Sequence, residues 1–275
     1  YVVSNIDNSH YVVRNIYNMD DCECDKIISQ STDLYGNSGN KTNTYCAMRS
    51  IDIKTDDSAS QKHFIREMIT DPNYMDVATY ITRGGRLPNH DEMYEMLKKL
   101  NNLLSHIHTK NIAFGNLKPT NIFINGKNFY SDINLTDPFP PKSSYAECMK
   151  IGHKDSFQEF IAPEFLDGSP NNVTMDFWSI GKILLLFCDP PINIDLLRTG
   201  EESLPGLESD FINEINDDKL REILHKCLSP DINRRYTQFM DLTKDFSELS
   251  GLSETCDTED KGLGNFNFTN NNCYD

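Results

Sequence analysis

The segment Met175–Cys188 constrains the fold most, because it is apolar on almost every face when it is drawn as a helix. A helix of this kind is buried on all sides, so other elements have to surround it. Its longest apolar run, Ile183–Phe187, is far shorter than the roughly 20 residues that a membrane-spanning helix needs. The segment therefore predicts the central helix of a large helical core and no membrane span.

Helical patterns dominate the second part of the chain. Apolar residues recur at spacings of three and four from Met93 to Ile107, which predicts an amphipathic helix. Two further amphipathic helices are predicted over Asp218–Leu228 and Tyr236–Leu249. An Asn-Gly pair at Asn125 joins two short apolar runs and predicts a β-hairpin. We expect residues 84–249 to form a mainly helical C-terminal lobe.

The first part of the chain has the composition of strands and turns. We expect residues 1–83 to form a small, reduced β-rich N-terminal lobe with one short helix at Ser60–Thr70. Residues 250–275 are acidic and rich in Asn, which predicts a tail. The fold class is therefore α+β. The predicted strands are Tyr11–Tyr17, Thr44–Ile53 and Asp76–Ile81.

The charge balance limits the classes of partner. The chain has 42 acidic and 26 basic residues among 275, a formal net charge of −16. Such a surface repels phosphate backbones and anionic membranes, which argues against nucleic acid and more weakly against a nucleotide ligand. We expect a protein partner. The composition slightly favours a soluble intracellular protein, while secretion by a parasite stays open, and Cys188 and Cys227 are expected to be buried.

Several segments, from about Tyr11 to Leu249, resemble those of a eukaryotic protein kinase domain and occur in the order of that family. The resemblance implies a bilobal fold with a β-rich N-lobe and a helical C-lobe. The segments are YCAMRSI for the strand of the nucleotide-binding Lys, FIREM for the following helix, IHTKNIAFGNLKPTNIFI for the catalytic loop, YSDINL for the metal-binding segment, FIAPEFL for the end of the activation segment, TMDFWSIGKILLL for the central helix and CLSPDINRRYT for a structural Arg.

The resemblance implies two structural interactions. Glu164 is expected to form a buried ion pair with Arg235. Asp176, at the start of the central helix, is expected to hold the backbone of the catalytic loop by hydrogen bonds. These residues concern the fold, and they do not report on catalytic activity.

The catalytic loop departs from the family at its centre. Phosphoryl transfer in protein kinases uses an Asp as base, and this sequence has Asn116 at that position. An amide does not accept the proton of the substrate hydroxyl group. The Arg that precedes the base in the family is Gly115 here. Loss of the base alone typically costs 10²–10⁴-fold in rate, as an order-of-magnitude estimate.

The other chemical positions are partly retained. The resemblance assigns the strand Lys to Arg49 and its acidic partner to Glu67, and Arg differs from Lys in reach and geometry. Lys118 and Asn121 of the catalytic loop are present. Asp132 keeps a carboxylate in the metal-binding segment. Arg49, Asp132 and Asn121 are therefore doubtful nucleotide-binding positions, and the last two are doubtful metal ligands.

The phosphate-covering loop is the most altered element. The resemblance places it at Asn18–Asp25, which contains no Gly, so backbone amides cannot approach phosphates closely. Asp20, Asp21 and Glu23 add negative charge to this loop. Each would repel a polyanion by about 1 kcal/mol in water at ~4 Å, and more near a protein surface. The loop is therefore expected to form no phosphate clamp.

These departures predict a pseudokinase, that is, a protein-binding scaffold or allosteric regulator with negligible phosphotransfer. We expect either no cofactor or weak binding of Mg-ATP. The alternatives are a divergent active Ser/Thr-type kinase and a pseudokinase that retains a nucleotide. The partner is expected to be a protein, such as an active kinase or its substrate. Candidate partner surfaces are the acidic loop at Asp20, Asp21 and Glu23, and an exposed Pro-rich activation segment with Phe139 and Tyr145.

One length does not fit the resemblance. The chain between Glu67 and Gly84 is too short for the two strands that a kinase places there. Either the N-lobe is reduced, or residues are missing from this part of the chain.

Overall fold

The computed structural model of the protein describes residues 2–7, 10–18, 46–54, 60–70, 74–135, 138–139, 145–150, 158–188 and 207–250. For the strands that precede residue 74, the description covers the backbone and its pairing. The predicted acidic loop and the predicted tail lie outside the described residues, apart from Asn18, which ends a strand, and Ser250, which ends a helix.

The N-terminal part contains an antiparallel four-stranded sheet in the order β1-β2-β4-β3. The strand predicted at Tyr11–Tyr17 is present, and the strand predicted at Thr44–Ile53 is present from Cys46, its first described residue. The predicted helix at Ser60–Thr70 is wrong, because this segment pairs with β2 on one side and β3 on the other. The strands are β1 (Val2–Asp7), β2 (His10–Asn18), β3 (Cys46–Lys54) and β4 (Ser60–Thr70).

The strand at Ser60–Thr70 replaces the helix that was expected there. Between Glu67 and Gly84 the structure describes the end of β4, a three-residue strand at Tyr74–Asp76 and a helix at Val77–Thr82. The prediction that the N-lobe is reduced, or that residues are missing from it, stays a prediction.

A second antiparallel sheet has the order β5-β6-β7. The predicted hairpin is confirmed by the pairing of β6 with β7. The strand predicted at Asp76–Ile81 is wrong beyond its first residue, because a helix begins at Val77. The side chain of Asp76 accepts a hydrogen bond from the Thr79 amide at 2.8 Å and caps that helix. The strands are β5 (Tyr74–Asp76), β6 (Ile122–Asn125) and β7 (Phe129–Leu135).

The remaining described elements are mostly helices, as predicted. The long helix begins with a capping box, in which Asn89 and Glu92 exchange side-chain and backbone hydrogen bonds. The helices are α1 (Val77–Thr82), α2 (His90–His108), α3 (Tyr145–Lys150), α4 (Pro163–Leu166), α5 (Thr174–Phe187), α6 (Leu207–Glu214), α7 (Asp218–Cys227) and α8 (Phe239–Ser250).

The core of the helical part surrounds α5, whose residues from Met175 to Phe187 are all buried. The prediction of a central helix with no exposed face is confirmed. Cys188 and Cys227 are buried, as predicted. Val77 and Tyr80 of α1 belong to the same core. This helix therefore packs with the helical part, although the sequence placed it in the N-lobe, at residues 1–83. Within the described residues, no helix combines the length and the apolar character of a membrane span.

Candidate functional site

The predicted catalytic loop connects α2 to β6 and is buried along most of its length. Asn116 is 2% exposed and Lys118 is 3% exposed, and Asn121 is also buried. The side-chain amide of Asn121 donates a hydrogen bond to the backbone carbonyl of Asn116 at 2.8 Å. The structure therefore brings these three predicted positions together in one loop.

Asp176 of α5 holds this loop through its backbone. The amide groups of Phe114 and Gly115 donate to the two carboxylate oxygens of Asp176 at 2.7 and 2.8 Å. The imidazole Nε2 of His108 lies 2.8 Å from Oδ2 of the same carboxylate. Because Asp176 is fully buried, these contacts compensate for the removal of its charge from water. The sequence analysis named Asp176 but missed His108, which ends the amphipathic pattern of α2.

Glu164 and Arg235 form a two-pronged ion pair. The guanidinium nitrogens of Arg235 donate to both carboxylate oxygens of Glu164 at 2.7 and 2.9 Å. Nε of Arg235 also donates to the carbonyl oxygen of Ser229 at 2.7 Å, and the guanidinium carbon lies 4.8 Å from the centre of the Trp178 ring. Each of the three guanidinium nitrogens of the buried Arg235 therefore donates to an acceptor.

Asp132 lies on β7, and its carboxylate oxygen Oδ1 accepts a hydrogen bond from the Tyr74 hydroxyl group at 2.9 Å. Tyr74 stands in β5, opposite Asn125 of β6. The bond therefore joins the first and third strands of the small sheet. The sequence analysis missed Tyr74, since no local pattern connects it with a residue 58 positions later.

Comparison with known proteins decides the family. A family model described as "Protein kinase domain" matches residues 53–247, more than half of the chain. The chain belongs to the protein kinase family. The match begins at Ile53, so Arg49 and the predicted acidic loop precede it.

This kinase-family chain is similar to several curated kinases. It is 27% identical to Death-associated protein kinase 2 of mouse over 153 residues. This stretch covers 54% of this chain and 41% of the relative. It is 29% identical to Calcium-dependent protein kinase 5 of Plasmodium berghei over 162 residues. This stretch covers 56% of this chain and 27% of the relative. The chain therefore spans less than half of the length of these relatives.

Solved structures agree with the kinase fold. The kinase domain of Mycobacterium tuberculosis PknI superposes with a TM-score of 0.56 over 86% of this chain and 85% of that chain, at 14% sequence identity. At this identity the similarity shows the fold alone. The predicted α+β, bilobal kinase-like fold, with a β-rich part and a mostly helical C-lobe, is confirmed.

The helix expected around Glu67 is wrong, while the assignment of Arg49 and Glu67 to catalytic positions stays a prediction. The resemblance placed Glu67 on a helix that follows the strand of Arg49, but both residues lie on strands. In the register of the sheet, Arg49 stands opposite Ile65, while Glu67 stands opposite Ala47 on one side and Arg14 on the other. Arg49 is thus a diagonal neighbour of Glu67 across β3 and β4. Arg14 is the basic residue directly opposite Glu67, and the sequence analysis did not consider it.

Phe139 is buried, at 1% exposure, so the prediction that it belongs to an exposed docking surface is wrong. Its ring stacks on Phe165 at 5.5 Å between centroids. Its backbone amide donates to the carbonyl oxygen of Phe114 at 2.9 Å, which ties the activation segment to the catalytic loop. Tyr145 is half-buried, and its ring contacts Phe165 edge-on at 5.9 Å.

Gly115 provides the room that Phe139 occupies. Its φ is +79°, and a Cβ atom built there would lie 2.9 Å from both Phe139 Cδ2 and Asn171 Nδ2. Any side chain at this position would therefore strain the backbone and displace a neighbour. Phe139 of the activation segment thus occupies the space that an Arg side chain at this position would need.

Lys182 of α5 is a buried cation beside the ring of Trp178. Its exposure is 8%, and its Nζ lies 5.4 Å from the centre of the Trp178 ring. Burial lowers the pKa of Lys182 to about 8, and the nearby carboxylate of Glu159 opposes this shift. The folded state therefore releases the Lys182 proton at lower pH than the unfolded state does.

The shift at Lys182 predicts stability that increases with pH. Below pH 8 the amine is protonated in both states, and the folded state carries the full cost of burying the charge. Between about pH 8 and pH 10.5 the unfolded state binds more protons, so the free energy of unfolding should rise by about 3 kcal/mol from this group. Chemical denaturation of the wild type and Lys182→Met at several pH values measures it.

The Lys182→Met variant should lack this rise and should be at least as stable as the wild type at pH 7. Lys110→Met is the matched control, because Lys110 is exposed, and it should retain the rise. Equal pH dependence in the wild type and Lys182→Met would contradict the assignment to Lys182.

Proposed function

We propose that this kinase-family chain is a pseudokinase, a protein-binding scaffold or allosteric regulator that does not transfer phosphate. The observation that carries the proposal is Asn116, which stands at the position of the base inside a buried, hydrogen-bonded loop. Its backbone is held by Asn121, and the two preceding residues are held by Asp176. The backbone of the loop is held by these hydrogen bonds, but the position of the base carries an amide in place of the carboxylate that would accept the substrate proton.

The site chemistry favours a cleft with weak or no affinity for ATP. The acidic residues predicted for the phosphate-covering loop, Asp20, Asp21 and Glu23, lie outside the described residues, and their role stays a prediction. The net charge of −16 is unfavourable for a polyanionic ligand and favourable for a basic segment of a protein partner. With Phe139 buried, the acidic loop is the better candidate for the partner surface.

A divergent active kinase is the second candidate. Two observations favour it: Lys118 and Asn121 are present in the loop, and the curated relatives are named as kinases. A nucleotide-binding pseudokinase is the third candidate. ATP binding in the presence and absence of Mg²⁺ separates the proposed function from both alternatives, and a phosphotransfer assay separates the alternatives from each other.

We predict that the melting temperature does not change with millimolar ATP, with or without Mg²⁺. A ligand at a hundred times its dissociation constant would add about 2.7 kcal/mol of stability, which corresponds to several degrees for a chain of this size. Differential scanning fluorimetry with ATP, Mg²⁺ and both together measures the shift. A clear, Mg²⁺-dependent shift would contradict this prediction and favour the nucleotide-binding pseudokinase.

A further inference from the structure

Protein kinases use a divalent cation, and the residues of this chain that were expected to bind it, Asp132 and Asn121, are poorly placed to do so together. This inference rests on the proposed function, because it concerns the same cleft. The resemblance assigned the cation to Asp132 of β7 together with Asn121. The register of the β6–β7 hairpin tests whether these two residues can meet at one ion.

The two residues lie toward opposite ends of the hairpin. Asn121 immediately precedes Ile122, which pairs with Leu135 of β7. Asp132 is three residues from Leu135, so it is about 10 Å along the strand from that pair. Two oxygen ligands of one Mg²⁺ lie only about 4 Å or less apart, since each is about 2.1 Å from the ion. A single cation between Asn121 and Asp132 would therefore lie at the limit of the reach of both side chains, even if each leaned along the strand toward the other.

The carboxylate of Asp132 has another role at its own end of the sheet. It accepts the Tyr74 hydroxyl hydrogen bond, and Tyr74 stands opposite Asn125 at the turn end of β6. This contact ties β7 to β5 across β6. The hydrogen bond therefore holds the carboxylate of Asp132 toward the turn end of the sheet, away from Asn121.

Asn134 is the polar residue of β7 that lies nearest to Asn121 in register. It pairs with Phe123, and Leu135 beside it pairs with Ile122, the residue next to Asn121. Asn134 and Asp132 share one face of the strand, because side chains alternate along it. Asn134 is half-buried, and so is its partner Phe123. The position closest to Asn121 on this face is therefore an amide.

We propose that Asn134, and not Asp132, lies at the cation-ligand position beside Asn121, so that this place lacks a carboxylate. Mg²⁺ in phosphate-binding sites is held by one or two carboxylates, and amides are weaker ligands because they carry no charge. No group of three or more His, Cys, Asp or Glu in the described part of the chain could hold a metal ion. Asp132 is a structural residue that acts through Tyr74.

The test uses Mn²⁺ alone, without nucleotide, so that its result does not depend on whether ATP binds. Free Mn²⁺ is measured by electron paramagnetic resonance, and melting temperature is followed in parallel. Asn134→Asp should increase Mn²⁺ affinity at least about tenfold over the wild type, because an added carboxylate raises the ligand charge that sets cation affinity. Ser131→Asp is the matched control, since it adds the same charge to an exposed site on β7 and should leave the affinity unchanged.

The role of Asp132 is tested separately. Asp132→Asn and Tyr74→Phe should each lower the melting temperature by a few degrees, and the double variant should lower it no further than the more harmful single one. Neither variant should alter Mn²⁺ binding. The proposal is overturned if the wild type binds Mn²⁺ and Asp132→Asn abolishes that binding, or if Asn134→Asp and Ser131→Asp behave alike. Phosphotransfer by the wild type would contradict the proposed function without deciding these outcomes.

Discussion

Arg235→Ala is expected to lower the free energy of unfolding by about 3–5 kcal/mol. The substitution leaves the carboxylate of Glu164, whose side chain is 14% exposed, without its two guanidinium donors. It also removes the donor to the Ser229 carbonyl oxygen and the contact with the Trp178 ring. Urea denaturation followed by Trp178 fluorescence and by far-ultraviolet circular dichroism measures the loss.

The neighbouring residue Arg234 provides the matched control. Its side chain is 80% exposed, and its Nε lies 3.7 Å from Asp231. Arg234→Ala should therefore change stability by less than about 1 kcal/mol. Glu164→Ala should be costly, and the double variant with Arg235→Ala should cost less than the sum of the two. Equal costs at Arg234 and Arg235, or additive sub-kilocalorie effects, would contradict the importance of the ion pair.

Phe139→Ala is also expected to cost about 3–5 kcal/mol, as for other large core side chains. The change leaves a void between Phe165 and Gly115, in a region where Phe139 is almost completely buried. For a chain of this size, such a loss should lower the melting temperature by roughly 10 °C. Scanning calorimetry or fluorimetry measures it. A docking residue on an exposed surface would give no such loss.

Met240→Ala is the control for Phe139→Ala, because Met240 is 72% exposed and its truncation creates no cavity. Its melting temperature should stay within a degree or two of that of the wild type, as a rough expectation for a surface site. Limited proteolysis distinguishes a local from a global effect. If Phe139→Ala has the stability of Met240→Ala, the packing between the activation segment and the catalytic loop is not important.

The fold was predictable where one periodic pattern governs a long element. The helices at His90–His108 and Thr174–Phe187 follow from apolar spacing and from an apolar surface on every side. Ser60–Thr70 was not predictable in this way. Its apolar residues Phe64, Ile65, Met68 and Ile69 suit one face of a helix, yet pairing with two neighbouring strands overrides this local preference.

The candidate site was predictable only where its residues belong to one continuous motif. Asn116, Lys118 and Asn121 follow each other in the loop, so the sequence alone brings them together. The contacts of Asp132 with Tyr74 and of Phe139 with Phe165 join distant parts of the chain. The sequence contains no local signal for either contact. Phe139, an aromatic residue between two prolines, was therefore predicted to be exposed.

Phosphotransfer from γ-labelled ATP, with Mg²⁺ or Mn²⁺, tests the central claim most directly. The account predicts no label on the protein itself or on a generic substrate, for the wild type and for Asn116→Asp alike, because the substitution supplies a base but no phosphate clamp. Label that appears with the wild type and is lost in Asn121→Ala would contradict the account, and label that appears only with Asn116→Asp would show that Asn116 is the sole defect.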